Sequence, residues 1–313
     1  MRVSLLRAVR LFIVATALGC LTACDGGTSQ DAGGEPGAPS GSAERGAYLV
    51  TAAGCLSCHT DTENDGPAFA GGHRLESPYG VFVTPNITPD GATGIGAWRE
   101  ATFVRALREG IGPDGDHYYP SFPYASYAGI TEADARDMYA WLMSLEPVER
   151  VNEPHELAWY VPGRWAMSLW ARLFSPWDYA TGPAAGEADE QWQRGAYLVR
   201  HLGHCGECHT PRNVFGALQT TAELSGSPKD STGRSAPDIS ADPAADIAGW
   251  SDDELEFFLE IGLQPDGDFV GGSMTAVVDE HTGKLTQQDR QAIVRYLRSA
   301  GASNPGDSLL ISK

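Results

Sequence analysis

Two segments of the chain combine residues suited to metal and redox chemistry: Cys55-Leu56-Ser57-Cys58-His59 and Cys205-Gly206-Glu207-Cys208-His209. Both are C-x-x-C-H. Two thiols three residues apart on a helical turn reach the two vinyl groups of one porphyrin. The His that follows lies beneath the ring and offers Nε2 to the iron. This is the attachment signature of c-type haem, so the sequence predicts two covalently bound haem c groups, on Cys55 and Cys58 and on Cys205 and Cys208, with His59 and His209 as iron ligands. A thioredoxin-like dithiol would need a βαβ context that neither motif has. A four-Cys zinc site would have to unite pairs about 150 residues apart, each inside its own repeat.

The surroundings of the motifs repeat. RGAYLVTAAGCLSCHT at 45–60 matches RGAYLVRHLGHCGECHT at 194–210, with one extra residue before the second pair of cysteines. A constant offset of 152 then aligns Pro85–Asp90 with Pro237–Asp242, Trp98 with Trp250, and Pro113–Asp116 with Pro265–Asp268. The closing segments Thr131–Leu145 and Thr286–Ala300 match at an offset of 155. Each copy predicts a first helix (Arg45–Ala53; Arg194–Leu202), a middle helix after Trp98 or Trp250, and a last helix from Thr131 or Thr286. The second middle helix opens on a Ser251–Glu254 capping box. Met138, Trp141, Leu142 and Leu145 fall at helical spacing and give the last helix an apolar face. The expected fold is all-α: two tandem domains, 44–146 and 193–300, each wrapped around its haem. An aromatic-rich linker, 147–192, joins them, and 301–313 is a tail. The linker holds Trp159, Tyr160, Trp165, Trp170, Phe174 and Trp177. We expect it to pack between the domains; an exposed docking surface or quinone contact is the alternative.

A Met thioether on the far side of an iron raises its potential. Met274 is the only Met of the second repeat, on a Gly-Gly-Ser-Met loop after the middle helix, and is the expected second ligand there. Counting back 152 lands on Phe122, which cannot ligate iron. The first repeat then has three options: His117 on the same loop, taken as the tentative ligand; His73 in the Gly-rich stretch after the motif; or an iron with no second protein ligand. Met138 belongs to an apolar helix face, and Met143 aligns with the polar Arg298.

Arg2, Arg7 and Arg10, the apolar run Leu11–Leu21 and small residues form an export signal over 1–24. Its end, Leu21-Thr22-Ala23-Cys24, resembles a bacterial lipobox, which predicts lipidation of Cys24 and a membrane-surface anchor; Cys20 is a second candidate. Residues 25–43 have almost no large apolar side chain and read as a flexible tether. Loss of 1–23 removes three Arg and no acid, leaving 19 bases against 41 acids, a net charge of −22. Such a chain has no basic cluster to neutralise phosphates, so nucleic acid is excluded as a partner. Its acidic surface suits basic patches on protein partners.

The RGAYLV…C-x-x-C-H-T, P-N-I-T-P-D, G-I-G-x-W and C-G-E-C-H-T-P-R-N segments are similar to those of the cytochrome c subunits of membrane-bound alcohol, aldehyde and gluconate dehydrogenases. The resemblance covers most of 44–300. It implies the class I cytochrome c fold, ligation by His59 and by the His209/Met274 pair, and electron relay from a periplasmic dehydrogenase to the respiratory chain. Those subunits carry three haem domains and place Met where Phe122 stands. The loop of Pro67 resembles the class I loop whose carbonyl accepts the His59 Nδ1 proton, and Arg212 is a candidate propionate partner; ordinary turn residues are the alternative for both. A dihaem peroxidase with an open iron in the first repeat is the alternative function. A haem-based sensor would need an output module beyond the two repeats.

Overall fold

The two halves are built from the same crossing of first and last helix, and glycine makes that crossing close. α1 (Ala43–Ala52) is capped by Ser42, whose side chain accepts from the Arg45 N–H. α5 (Glu132–Leu142) is capped by Thr131. They meet at Gly46, where a Cβ would lie 1.9 Å from the Asp137 carbonyl oxygen. α7 (Glu190–Tyr197), capped by Asp189, meets α11 (Gln287–Leu297), capped by Thr286, in the same way. There a Cβ on Gly195 would lie 1.9 Å from the Ala292 carbonyl oxygen. Arg45 pairs with Asp134 and Asp137, and Arg194 with Asp289, so each crossing is also pinned by an ion pair.

The computed structural model describes residues 38–174, 189–228 and 234–300. Between the crossing helices lie short turns that carry the motifs, α2 (Cys55–Cys58) and α8 (Gly206–His209). The middle helices are α3 (Glu100–Glu109) and α9 (Asp252–Ile261), the latter with its capping box formed. α4 (Tyr124–Tyr127) and α10 (Ser273–Glu280) follow them, and α6 (Met167–Phe174) belongs to the linker. The extra residue before the second cysteine pair is absorbed as a π-helical turn, Leu198–Leu202, so α7 keeps its register on α11 while the motif shifts by one. The core runs through both halves and includes Val50, Ile130, Met138, Leu142, Leu198, Leu202, Leu224 and Leu255.

The all-α expectation fails at one place. β1 (Arg74–Ser77) and β2 (Gly80–Val83) form a hairpin, and β3 (Glu156–Leu157) of the linker adds to β2. The turn at Pro78-Tyr79-Gly80 needs Gly80 at φ +114°, and Val81-Phe82-Val83 is β-favouring sequence whose last two residues are buried. The linker also packs only in part. Met167 and Ala171 on α6 are buried, Trp170 donates from Nε1 to the Phe215 carbonyl at 2.9 Å, and Phe174 stacks on Phe215. The opposite stripe, Trp165, Leu169 and Leu173, is exposed, as is Trp159. Trp177, the signal segment with Cys20 and Cys24, most of the tether and the 301–313 tail lie outside the described residues. No helix among the described residues is long and apolar enough to cross a membrane.

The crossings yield a prediction with a definite sign. On an open helix face Gly→Ala stabilises by about 1 kcal/mol. Gly46→Ala or Gly195→Ala forces the new methyl into a backbone carbonyl and should destabilise by about 1–3 kcal/mol. Denaturant unfolding of each variant checks this, and a gain in stability would show that the helices do not cross there.

Candidate haem sites

Each motif histidine is gripped by a proline carbonyl. His59 Nδ1 lies 2.8 Å from the Pro85 oxygen, and His209 Nδ1 lies 2.8 Å from the Pro237 oxygen. A carbonyl can only accept, so Nδ1 carries the proton in both rings and Nε2 carries the lone pair that an iron requires. Burial, countered by the Pro85 bond, holds His59 below its usual pKa and keeps it neutral. The expected partner, Pro67, is displaced from this role: its carbonyl accepts from the Ala70 N–H in a local turn. The offset of 152 that aligns Pro85 with Pro237 already contained the correct pair.

The thiols suit covalent attachment. None of the four motif cysteines is in a disulfide. Burial pushes Cys55 up to about 12 and Cys205 up to about 11, so both stay protonated thiols, the form that adds across a vinyl group. A redox-active dithiol needs the opposite, a lowered thiol pKa. The cysteine pairs do not converge on a zinc site, since no group of three or more His, Cys, Asp or Glu able to hold a metal occurs among the described residues. Two thiols on one turn, a tautomer-locked imidazole and an apolar surround fit a covalent haem in each half.

The far sides of the two sites differ. Met274 is half-buried at the second position of α10, just after Gly272 at φ +66°, rather than on a loop. In the first half Phe122 packs edge-on between Tyr118 and Tyr127, both at 5.7 Å. Tyr127 is fully enclosed near Cys55 and Cys58, and its hydroxyl donates to the Ala53 carbonyl at 3.0 Å. His117 sits on the same loop, with Nδ1 3.0 Å from Ser168 Oγ. Its carbonyl accepts from Arg164, which also pairs with Asp114. The His73 carbonyl accepts from the Thr84 N–H, next to the Pro85 that grips His59 on its Nδ1 side. Met138 is core, as expected. Arg212 bonds the Gly216 carbonyl and pairs with Glu207, while its Nε is buried without a partner. Its side chain is committed first to the motif loop.

Sequence reasoning missed the linker's part in the first site. Asn86, next to Pro85, donates from its N–H to Asn152 and from its side chain to the Val148 carbonyl. Val83 N–H donates to His155 at 3.1 Å. Nothing in the spacing of 147–157 signals these contacts.

The chain is similar in sequence to known proteins. The Cytochrome c family model matches residues 43–146. A dihaem cytochrome c-type protein of Cereibacter sphaeroides is 41% identical over 84% of this chain and 87% of its own. The cytochrome c subunit of gluconate 2-dehydrogenase from Pantoea cypripedii is 37% identical over 85% of this chain, which spans 61% of that subunit. The cytochrome subunit of fructose dehydrogenase from Gluconobacter japonicus is 36% identical, and this chain spans 53% of it. With motifs, histidine anchoring and relatives in accord, the chain belongs to the cytochrome c family and carries covalently bound haem c, two groups in keeping with its dihaem relative.

Proposed function

We propose that this chain is a two-domain dihaem electron carrier, with class I cytochrome c domains at 44–146 and 193–300. It accepts electrons from a periplasmic dehydrogenase and passes them toward the respiratory chain. The observation that carries this reading is the alignment of some 84% of the chain, both motifs included, with cytochrome subunits of sugar, alcohol and gluconate dehydrogenases. Cys55, Cys58 and His59 would hold the first haem, and Cys205, Cys208, His209 and Met274 the second. Each haem supplies an iron that takes up and gives up one electron. The chain's own residues fix how readily that happens: the proline carbonyls orient the imidazoles, and the thioether of Met274 favours ferrous iron. For the first haem we propose His117, supported by Ser168 on its Nδ1, as the second ligand. The relatives favour the carrier over the peroxidase reading.

A strain lacking this chain should lose respiration on at least one sugar, sugar acid or alcohol while keeping respiration on substrates oxidised inside the cell. Unchanged oxygen uptake on all of them would reject the dehydrogenase link. Mass spectrometry of the denatured protein should show two haem additions, and Cys55→Ala with Cys58→Ala should remove one.

Ligation should appear in the potentials. Met274→Ala should lower the potential of the second haem alone. His117→Ala should turn the first into a CO-binding, high-spin form. A first haem that binds CO in the wild type would instead mean an iron without a second ligand.

We also propose that Cys24 is lipidated and tethers the domains to a membrane surface. Acyl chains contribute about 0.8 kcal/mol per buried CH₂, so several hold a protein firmly. Labelled fatty acid should enter the wild type, and Cys24→Ser should release soluble protein. Retention of Cys24→Ser in the membrane fraction would place the anchor elsewhere.

A further inference from the structure

The two halves hold each other through contacts that repeat in both directions. Tyr48 and Tyr197 occupy the same place in the two RGAYLV segments. Tyr48 donates to Asp289 of the second half at 2.6 Å, and Tyr197 donates to Asp134 of the first half at 2.6 Å. Each hydroxyl also accepts from the N–H of the opposite helix cap, Thr286 or Thr131, at 3.2 Å. This is the signature of a two-fold arrangement, in which residue i meets j and the counterpart of i meets the counterpart of j.

The same reciprocity reaches the haem-attachment loops. Ser57 and Glu207 are the equivalent third residues of the two C-x-x-C-H motifs, and Ser126 and His281 are equivalent at the offset of 155. Ser57 Oγ lies 2.9 Å from His281 Nε2, and Ser126 Oγ donates to Glu207 at 2.7 Å. His281 packs so closely on Gly54 that any Cβ there would meet its ring. His204, one residue before Cys205, packs edge-on against Tyr127 at 5.4 Å, and Tyr127 bonds Ala53. The side chain between the cysteines has no part in attaching a porphyrin. Here, in both motifs, the third-position side chain bonds the opposite half in addition to its own half, where Ser57 donates to the Gly54 carbonyl and Glu207 pairs with Arg212.

We propose that Ser57, His281, Ser126 and Glu207, backed by the Tyr48–Asp289 and Tyr197–Asp134 bonds, are positioning residues for electron exchange between the two haems inside one chain. They keep the two attachment loops face to face, so that one electron passes from the ferrous iron of one haem to the ferric iron of the other with no other reactant. This rests on the dihaem carrier reading.

The test is flash photoreduction of the fully haem-loaded protein with one electron per chain, followed by its redistribution between the haems at several protein concentrations. The wild type should show a redistribution phase whose rate is independent of concentration. Ser57→Ala with Glu207→Ala, and separately Tyr48→Phe with Tyr197→Phe, should lose that phase while keeping both haems by mass. Glu207→Gln, which keeps an acceptor oxygen for Ser126, should retain it. Magnetic interaction between the two ferric irons, read by electron paramagnetic resonance, should weaken in the same variants and not in Glu207→Gln. Should the tyrosine variant fail to fold, the loop variant decides.

A purely structural role would lower unfolding temperature and leave the exchange phase of the folded molecules intact, and that result overturns the proposal. Redistribution in the wild type that scales with concentration also overturns it. An intact internal phase in a protein that no dehydrogenase reduces would refute the carrier reading and leave this inference standing.

Discussion

An imidazole serves an iron through Nε2 only while something holds Nδ1, and in both halves that something is a proline carbonyl on a stretch with little structure of its own. Pro85 and Pro237 follow no helix and end no long strand, so the fold must fix them by other means. In the first half β2 leads directly into Pro85, and the linker clamps the next residue through Asn152 and Val148. Arg150 adds an ion pair to Asp61, just past the motif. In the second half Asp246 accepts from the Asp238 N–H beside Pro237, and Ala300 at the end of the closing helix accepts from the Ala241 N–H. Both halves share an inner frame, with Ile87 N–H on the Phe69 carbonyl and Ile239 N–H on the Leu224 carbonyl, and differ in the contacts outside it. The geometry at Nδ1 and its backbone frame are shared, and only the outer clamps differ.

Much of this was legible from local rules. The Ser251–Glu254 box and the Thr131 and Thr286 caps announce helix starts, because a side-chain oxygen there satisfies an otherwise orphaned N–H. The apolar spacing of Met138 and Leu142 places them in the core, where both are fully buried. The single inserted residue before Cys205 reads as a misfit in the alignment and proves to be a π-helical turn. What local rules could not reach are pairings between distant segments. β3 adds to the hairpin from the linker, and Pro85 approaches His59 from beyond that hairpin. The family resemblance pointed to the loop of Pro67, while the bond is made by Pro85, which the fold brings near in space. The cross-half bonds of Tyr48 and Tyr197 were invisible for the same reason, although both tyrosines sit in the most conspicuous repeated segment.

The linker shows why residue type alone misleads about burial. Its aromatic content suggested a packed wedge, since large exposed apolar surfaces are unusual. A helix has two faces, however, and α6 uses only one. Met167 and Ala171 turn inward and Trp170 reaches Phe215 of the second half, while Trp165, Leu169 and Leu173, at spacings of four, turn outward. The inward face is enough to tie the linker to both halves.

That tie also bears on the difference between the two sites. The loops Pro113–Asp116 and Pro265–Asp268 form equivalent turns, with Gly112 N–H donating to Asp116 and Gln264 N–H donating to Asp268. Only the first is gripped from outside, among the described residues, by Arg164 on Asp114, Asp116 and the His117 carbonyl, and by Ser168 on the His117 ring. Where the second half offers a thioether at Met274, the first offers the apolar Phe122, locked between two tyrosines. A phenylalanine there fills space but orients nothing toward an iron, so any ligand from this loop must be held by other contacts. The linker supplies those contacts at His117. With His117 as the proposed ligand, the difference between the two far sides and the course of the linker have one origin.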